Sequence, residues 1–378
     1  CRVSTLVAER TRCHTGLIGT HTSALPRESL ADSKAGFVIA GEPEKALLRL
    51  LDNGPGSGDT ASIPGVHVDA GDPSEPPSFA PLFENLDDLP MPARDMMPNR
   101  LYRTPMTGNR PFATVIPSRG CSYRCTFCRA HTVSGSRIRL RSPALVAEEV
   151  AELVREYGIR DFAFLSEVFT FAPEWVEEIC QRLTRLPQRP RWMCSTRTDK
   201  LSPRLLARMR GAGCSLISLG IESADPAVLR RCRKGASVDE AAEAVRMCRE
   251  AGIDTIGYFI LGLPGDTEET ILDTIEFAVR VSPTYANFHI ATPFPGTPLY
   301  EEAVESGWLR TQDWGRYDEM GESALEYPHL SAARIAELQK TAHRRFYLRP
   351  SFALHLVRNP ATLAAAAKGL RLKWKTLF

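Results

Sequence analysis

From Phe112 onward, short apolar runs alternate with amphipathic stretches in a regular series. FATVIPS precedes an amphipathic segment at 144–157, DFAFLSE one at 174–186, and RWMCSTR one at 203–212. SLISLGIE, DTIGYFILG and ANFHIATPF are followed in the same way by segments at 238–251, 267–281 and 298–306. Runs this short and this apolar read as strands buried on both faces, and their partners repeat apolar residues at helical spacing. Six strand–helix units predict an α/β fold with a parallel sheet and right-handed crossovers. Six is short of the eight of a closed barrel, so a partial, open barrel is expected, with a doubly wound sheet as the alternative. Both arrangements collect ligand groups at the C-terminal ends of the strands.

The chain before this array has two characters. Residues 1–54 read as α/β: apolar LIG, the loop GTHTSALP, a second strand FVIAG, then helix-like EKALLRLL. Residues 55–110 form a linker with ten prolines between Pro55 and Pro105, a density that forbids long helices and central strands. Its apolar residues Phe79, Leu82, Phe83, Leu86 and Leu89 predict a segment docked on a folded surface rather than a free one. The array occupies 111–300, and 301–378 reads as a helical, basic extension.

Composition adds mainly exclusions. A formal charge of +2 gives no overall pull toward nucleic acid. No apolar run reaches the roughly 18–20 residues of a membrane span, and the start lacks a signal-peptide layout, so a cytoplasmic setting is expected. The chain opens on Cys1, which reads as a fragment with its natural start upstream. Thiols are expected to be reduced there, which turns attention to CSYRCTFC at 121–128. Its three thiols, Cys121, Cys125 and Cys128, follow the first predicted strand. Three thiolates can hold three irons of a cubane and leave the fourth open to a ligand. A zinc site completed by His131 is the rival reading. The other seven cysteines form no second motif and are expected to be small buried apolar residues.

CSYRCTFC has the CX₃CX₂C spacing, with an aromatic before the last cysteine, and with the strand–helix series it resembles the radical S-adenosylmethionine (SAM) superfamily. The resemblance implies a [4Fe-4S] cluster on Cys121, Cys125 and Cys128 whose open iron binds SAM. One electron, from a donor such as flavodoxin or ferredoxin, then cleaves SAM to methionine and a radical that abstracts hydrogen from substrate. It also implies SAM contacts on the strand ends. Ser166 and Glu167 in LSEVF stand where the family holds the methionine amino group, and Arg197 in RWMCSTRTD is suited to the SAM carboxylate. Ser218 and Glu222 in SLGIES stand where the family meets the ribose and polar SAM groups. Gly262 in GYFILGLPGDTEE lies in the string that resembles the adenine-binding motif. No residue is assigned to chemistry on the substrate.

The N-terminal residues carry a second resemblance. GLIGTHTSALP followed by GEPE is similar to the last strands of the cobalamin-binding domain of B12-binding radical SAM proteins, with Pro43 in place of a glycine. The usual His-donating motif is lacking, since Gly65 and Ala70 stand around His67 where Asp and Gly are required. The implied fold is thus a partial (β/α)6 radical SAM barrel preceded by the C-terminal remnant of a Rossmann-like cobalamin-binding domain. Cobalamin is expected in the full-length protein and weakly, if at all, in this chain. The implied activity is methylation of an unactivated carbon; an oxidoreductase or cyclase of the same subgroup, and a non-catalytic Fe–S or zinc protein, stay open. The expected substrate is a small molecule or a lipid. After Glu337 nine Lys and Arg and no acid remain, as suits either a helix packed on the barrel or a peripheral contact with an anionic membrane.

Overall fold

The computed structural model describes residues 2–11, 13–54, 60–69, 77–350 and 352. Cys1, two stretches of the linker and nearly all of the basic tail from Ser351 lie outside them. The chain divides into two compact units. One comprises Leu89–Ser118, Leu140–Thr292 and the residues from Trp308. The other comprises residues up to Asp88, with Arg119–Arg139 and Pro293–Gly307. The cysteine loop therefore packs with the N-terminal residues, although the sequence pattern runs it straight on from the first strand.

The larger unit holds the six expected strands. They are β1 (Phe112–Val115), β2 (Asp161–Phe164), β3 (Arg191–Arg197), β4 (Cys214–Glu222), β5 (Asp254–Leu261) and β6 (Tyr285–Ile290). All pair in parallel, in the unbroken order β6-β5-β4-β3-β2-β1. Its longer helices are α1 (Pro143–Arg155), α2 (Pro173–Leu183), α3 (Pro203–Gly211), α4 (Val238–Glu250), α5 (Glu268–Val281) and α6 (Ala332–Tyr347), with a short one at Pro226–Arg231. Each packs on the next in line, so they form one layer over one face of the sheet. A doubly wound sheet needs a reversal of strand order and helices on both faces, and neither is present among the described residues. The open-barrel reading holds. The sixth helix of the sequence series, Pro298–Glu305, belongs to the smaller unit.

Local chemistry explains these elements. α1, α2 and α3 start on a proline, where a missing N–H costs nothing, and Ser142, Ser202, Ser237 and Thr267 cap α1, α3, α4 and α5 by side-chain hydrogen bonds. Toward the helices the strands send Phe162, Phe164, Trp192, Phe259 and Phe288, all fully buried. The opposite face carries Thr114, Ser195, Ser218, Tyr258, Asn287 and His289, which keep partial or full exposure. That asymmetry leaves one face of the sheet free for ligands.

In the smaller unit, Gly16–Ile18 pairs in parallel with Phe37–Ile39, which pairs antiparallel with Val66–His67. The helix Pro43–Asn53 lays Ala46 and Leu50 on this sheet, with Ile63, Val66 and Ala80. The described part of the linker follows expectation, with short 3₁₀ turns and with Phe83 and Leu86 buried. Phe79 differs: it stays 48% exposed, so the docking runs through Ala80 and Phe83 instead. Of the cysteines outside the motif, Cys180, Cys194, Cys214, Cys232 and Cys248 are buried as expected, whereas Cys13 is exposed. Burial pushes the Cys180 and Cys248 thiols up to about 12, which keeps them protonated and inert.

Candidate functional site

In the larger unit the expected SAM-contact residues lie at or just past the C-terminal ends of β2 to β5, except Ser218, which sits mid-strand in β4. Arg197, the last residue of β3, is 4% exposed, and its Nε donates to Asp199 Oδ1 at 2.8 Å. It stands opposite Gly220 on β4. Glu222 ends β4, also buried, and accepts a 2.6 Å hydrogen bond from Lys234 Nζ, itself 5% exposed. Gly220 makes room for that pair: a Cβ there would lie 2.6 Å from Glu222 Oε1 and 2.7 Å from Lys234 Nζ. Glu222 has φ of 69°, a left-handed backbone that a non-glycine residue adopts only under strain, and the β4–β5 register slips at the same point. Strain of this kind costs about 1–3 kcal/mol and collects at functional sites.

The remaining expected residues differ in setting. Ser218 is half-buried on the open face, between Ser195 of β3 and Ile256 of β5. Ser166, just past β2, shares a 2.6 Å hydrogen bond with Ser118 Oγ. Glu167, next to it, is exposed. Gly262 follows β5 with φ of 83°; its N–H donates to Asp266 Oδ2 at 2.9 Å and its carbonyl accepts from the Tyr327 hydroxyl at 2.8 Å. Asp266 is 1% exposed, and burial pushes its carboxyl up to about 6 against hydrogen bonds from Thr270, Leu263 and Gly262 that pull it down. Arg197 with Asp199 and Glu222 with Lys234 thus form two largely buried ion pairs at the ends of neighbouring strands, while Glu167 is exposed.

The structure adds residues for which the sequence gives no signal. Lys234 looks like one more surface cation in LRRCRKG, and only the turn after Pro226–Arg231 brings it under Glu222. On the same open face the His289 ring lies parallel to Tyr258 at 5.5 Å, with Nδ1 3.1 Å from Glu319 Oε2.

In the smaller unit the loop 119–139 carries the three thiols. Cys121 is buried; Cys125 and Cys128 are half-buried. Gly120 has φ of +88° and a Cβ there would lie 2.2 Å from the Arg137 carbonyl, so only glycine lets the two ends of the loop approach. Cys121 N–H donates to Gly135 O at 3.3 Å, and Cys128 N–H to Cys125 O at 3.2 Å. His131 Nε2 lies 2.7 Å from the Cys121 carbonyl, a contact that ties the helix after the thiols back to the first of them. Among the described residues no three His, Cys, Asp or Glu side chains gather closely enough to hold a single ion. A cubane asks less, because each thiolate binds a different iron, and three thiols on one tied loop suit it. Gly19–His21 and Gly41–Glu42 each follow a strand of the parallel pair, linked by Gly41 N–H donating to Ser23 Oγ at 2.9 Å.

Comparison with known proteins agrees with this geometry. Residues 115–278 match the family model of the Radical SAM superfamily. An uncharacterized methyltransferase of Pyrococcus horikoshii is 34% identical over 277 residues, 73% of this chain and 59% of that protein. The anaerobic magnesium-protoporphyrin IX monomethyl ester cyclase of Cereibacter sphaeroides is 29% identical over 343 residues, 88% of this chain and 54% of that protein. This chain thus spans little more than half the length of these relatives. The radical S-adenosylmethionine methyltransferase TsrM of Kitasatospora setae, solved with cobalamin and a [4Fe-4S] cluster, shares the fold with a TM-score of 0.65 at 20% identity, over 91% of this chain and 69% of that one. Cysteine spacing, single-layered parallel sheet and sequence match point the same way: residues 115–278 of this chain are a domain of the radical SAM superfamily.

Proposed function

We propose that the protein is a radical SAM enzyme that methylates an unactivated carbon with the help of cobalamin. When bound, a [4Fe-4S] cluster would pass one electron into SAM to release methionine and a hydrogen-abstracting radical, and cobalamin would relay a methyl group. The chain's own residues then have separable tasks. Cys121, Cys125 and Cys128 hold the irons. Arg197, already fixed by Asp199, presents its charge to the carboxylate of SAM, and Glu222, held by Lys234, presents a carboxylate to the ribose hydroxyls and polar groups of SAM. Ser218 offers a hydroxyl to the ribose, and Gly262 lets backbone lie against a flat ring. Glu167 and Ser166 keep the amino-group role only if the 165–171 loop turns Glu167 out of solvent. The observation that carries the reading is the three-thiol loop within a radical SAM domain. Cobalamin rests on the parallel strands ending in Gly19–His21 and Gly41, and on the likeness to TsrM.

The electron donor is proposed to be a flavodoxin or ferredoxin, and the substrate a small molecule or lipid, with any membrane contact made by the basic tail. The cyclase relative, matched over most of this chain, supports a second reading in which the radical drives oxidative ring formation. The test is anaerobic reconstitution of the full-length protein with iron, sulfide and cobalamin, then SAM labelled in its methyl group and a one-electron reductant. Formation of 5′-deoxyadenosine supports radical chemistry, and label entering cobalamin supports methyl transfer. A filled cluster that leaves SAM intact overturns the proposal; cleavage with no label on cobalamin favours the cyclase-like reading.

A further inference from the structure

We propose that Glu42 is a positioning residue for the cysteine loop, a single buried carboxylate that latches both ends of the segment holding the three thiols. The inference rests on the reading of Cys121, Cys125 and Cys128 as cluster ligands and goes beyond it. Arg119 enters the loop and Arg139 leaves it, and both reach Glu42. Arg139 does so as a fork, with Nη2 2.7 Å from Oε1 and Nη1 2.9 Å from Oε2. Arg119 places Nη1 3.5 Å from the same Oε1 and donates Nη2 to Glu44 Oε1 at 2.5 Å. The Phe83 N–H fills the remaining side of Oε2 at 3.0 Å. Glu42 is 1% exposed and Arg139 4%. Burial works to raise the Glu42 carboxyl, but the Arg139 hydrogen bonds, the Phe83 amide and the two arginine charges hold it below the usual carboxylate range.

From this carboxylate the connection runs to the first thiol without a gap. Arg139 Nη2 also donates to Ser134 O at 2.7 Å, next to Gly135, whose carbonyl takes the Cys121 N–H. His131 closes the same turn on the Cys121 carbonyl. Stability alone is a poor reason for this latch, because a buried ion pair is often no more stabilising than an apolar pair of the same size. The helix it starts already has Ala46 and Leu50 in the core. What the fork supplies is geometry: a planar, bidentate contact fixes where the loop's two ends sit, and so where the thiols lie. Partners behind metal ligands tune affinity and potential in the same way.

The experiment compares Glu42→Gln, Arg139→Met and the double variant with a control, Glu149→Gln, which breaks a comparably buried carboxylate shared by Arg94 and Arg141 in the other unit. Each protein is reconstituted anaerobically. Unfolding midpoint, rate of iron loss to a ferrous chelator, and the reduced cluster's electron paramagnetic resonance spectrum and midpoint potential are then read. The two single variants are expected to release iron about ten- to a hundred-fold faster than wild type, with a shifted potential. The control should change the unfolding midpoint without changing the cluster spectrum, and the double variant should be no worse than either single. Iron loss and potential matching the control at equal stability would overturn the latch while leaving the functional reading intact. A wild-type protein that takes up no cluster would sink both.

Discussion

At Glu222 the chain tolerates three unfavourable things at once: a left-handed backbone, a broken strand register and a buried charge. Lys234 offsets only the last of them. Removing one partner of a buried pair typically costs about 3–5 kcal/mol, because the other charge is left without compensation. Lys234→Met should therefore lower stability by that order in urea titrations, and Glu222→Gln/Lys234→Met should recover much of the loss. Glu222→Gln and Arg197→Ala should each weaken SAM binding roughly ten- to a hundred-fold by calorimetry on the reconstituted protein, the worth of one charge-assisted hydrogen bond. If both variants bind SAM as wild type does, these residues have no place in its site. Arg197 and Glu222 were legible as strand-ending polar residues in RWMCSTR and SLGIE. Their counter-ions were not.

At the scale of an element, the junction between β5 and α5 and the cysteine loop each depend on one organising group. Asp266 gathers the N–H groups of Gly262 and Leu263 on one oxygen and the Thr270 hydroxyl on the other. Its folded carboxyl titrates near 6 against 3.8 for the ordinary group, so between those values the folded state holds a proton that the unfolded chain has lost. Stability from this group therefore falls as pH rises from about 4 through 6 and stays lower above. Asp266→Asn keeps an acceptor for the two N–H groups and lacks the titration. Its stability relative to wild type should rise by about 3 kcal/mol between pH 4 and pH 7.5, two pKa units at 1.36 kcal/mol each. A difference that stays flat with pH would show that Asp266 is not the group responsible. In the loop, Cys→Ala at 121, 125 or 128 should each abolish the brown cluster and SAM cleavage, while His131→Ala keeps the iron. Loss of iron in His131→Ala alone would return that residue to the ligand set.

For the whole molecule the test is elemental. Anaerobically purified protein is expected to contain iron and acid-labile sulfide in equal amounts, by metal analysis and sulfide assay. Stoichiometric zinc without sulfide would replace the radical reading by a binding one. No described helix is long and apolar enough to cross a membrane.

The six parallel strands with their helices and the thiol loop could be read from the sequence, because each rests on local information. Strand and helix periodicities repeat within a few residues, and three thiols in eight residues are already neighbours. The partners could not be read in this way. Glu42 and Arg139 are 97 residues apart and Glu222 and Lys234 are 12, and no spacing rule joins them. Their meeting depends on strand register, on the turn after a short helix, and on the folding of the cysteine loop onto the N-terminal sheet. The same holds for the choice between open barrel and doubly wound sheet, since both have the same alternation of strands and helices. That choice came from the side of the sheet on which each crossover packs, which is a property of the assembled layers and of no single segment.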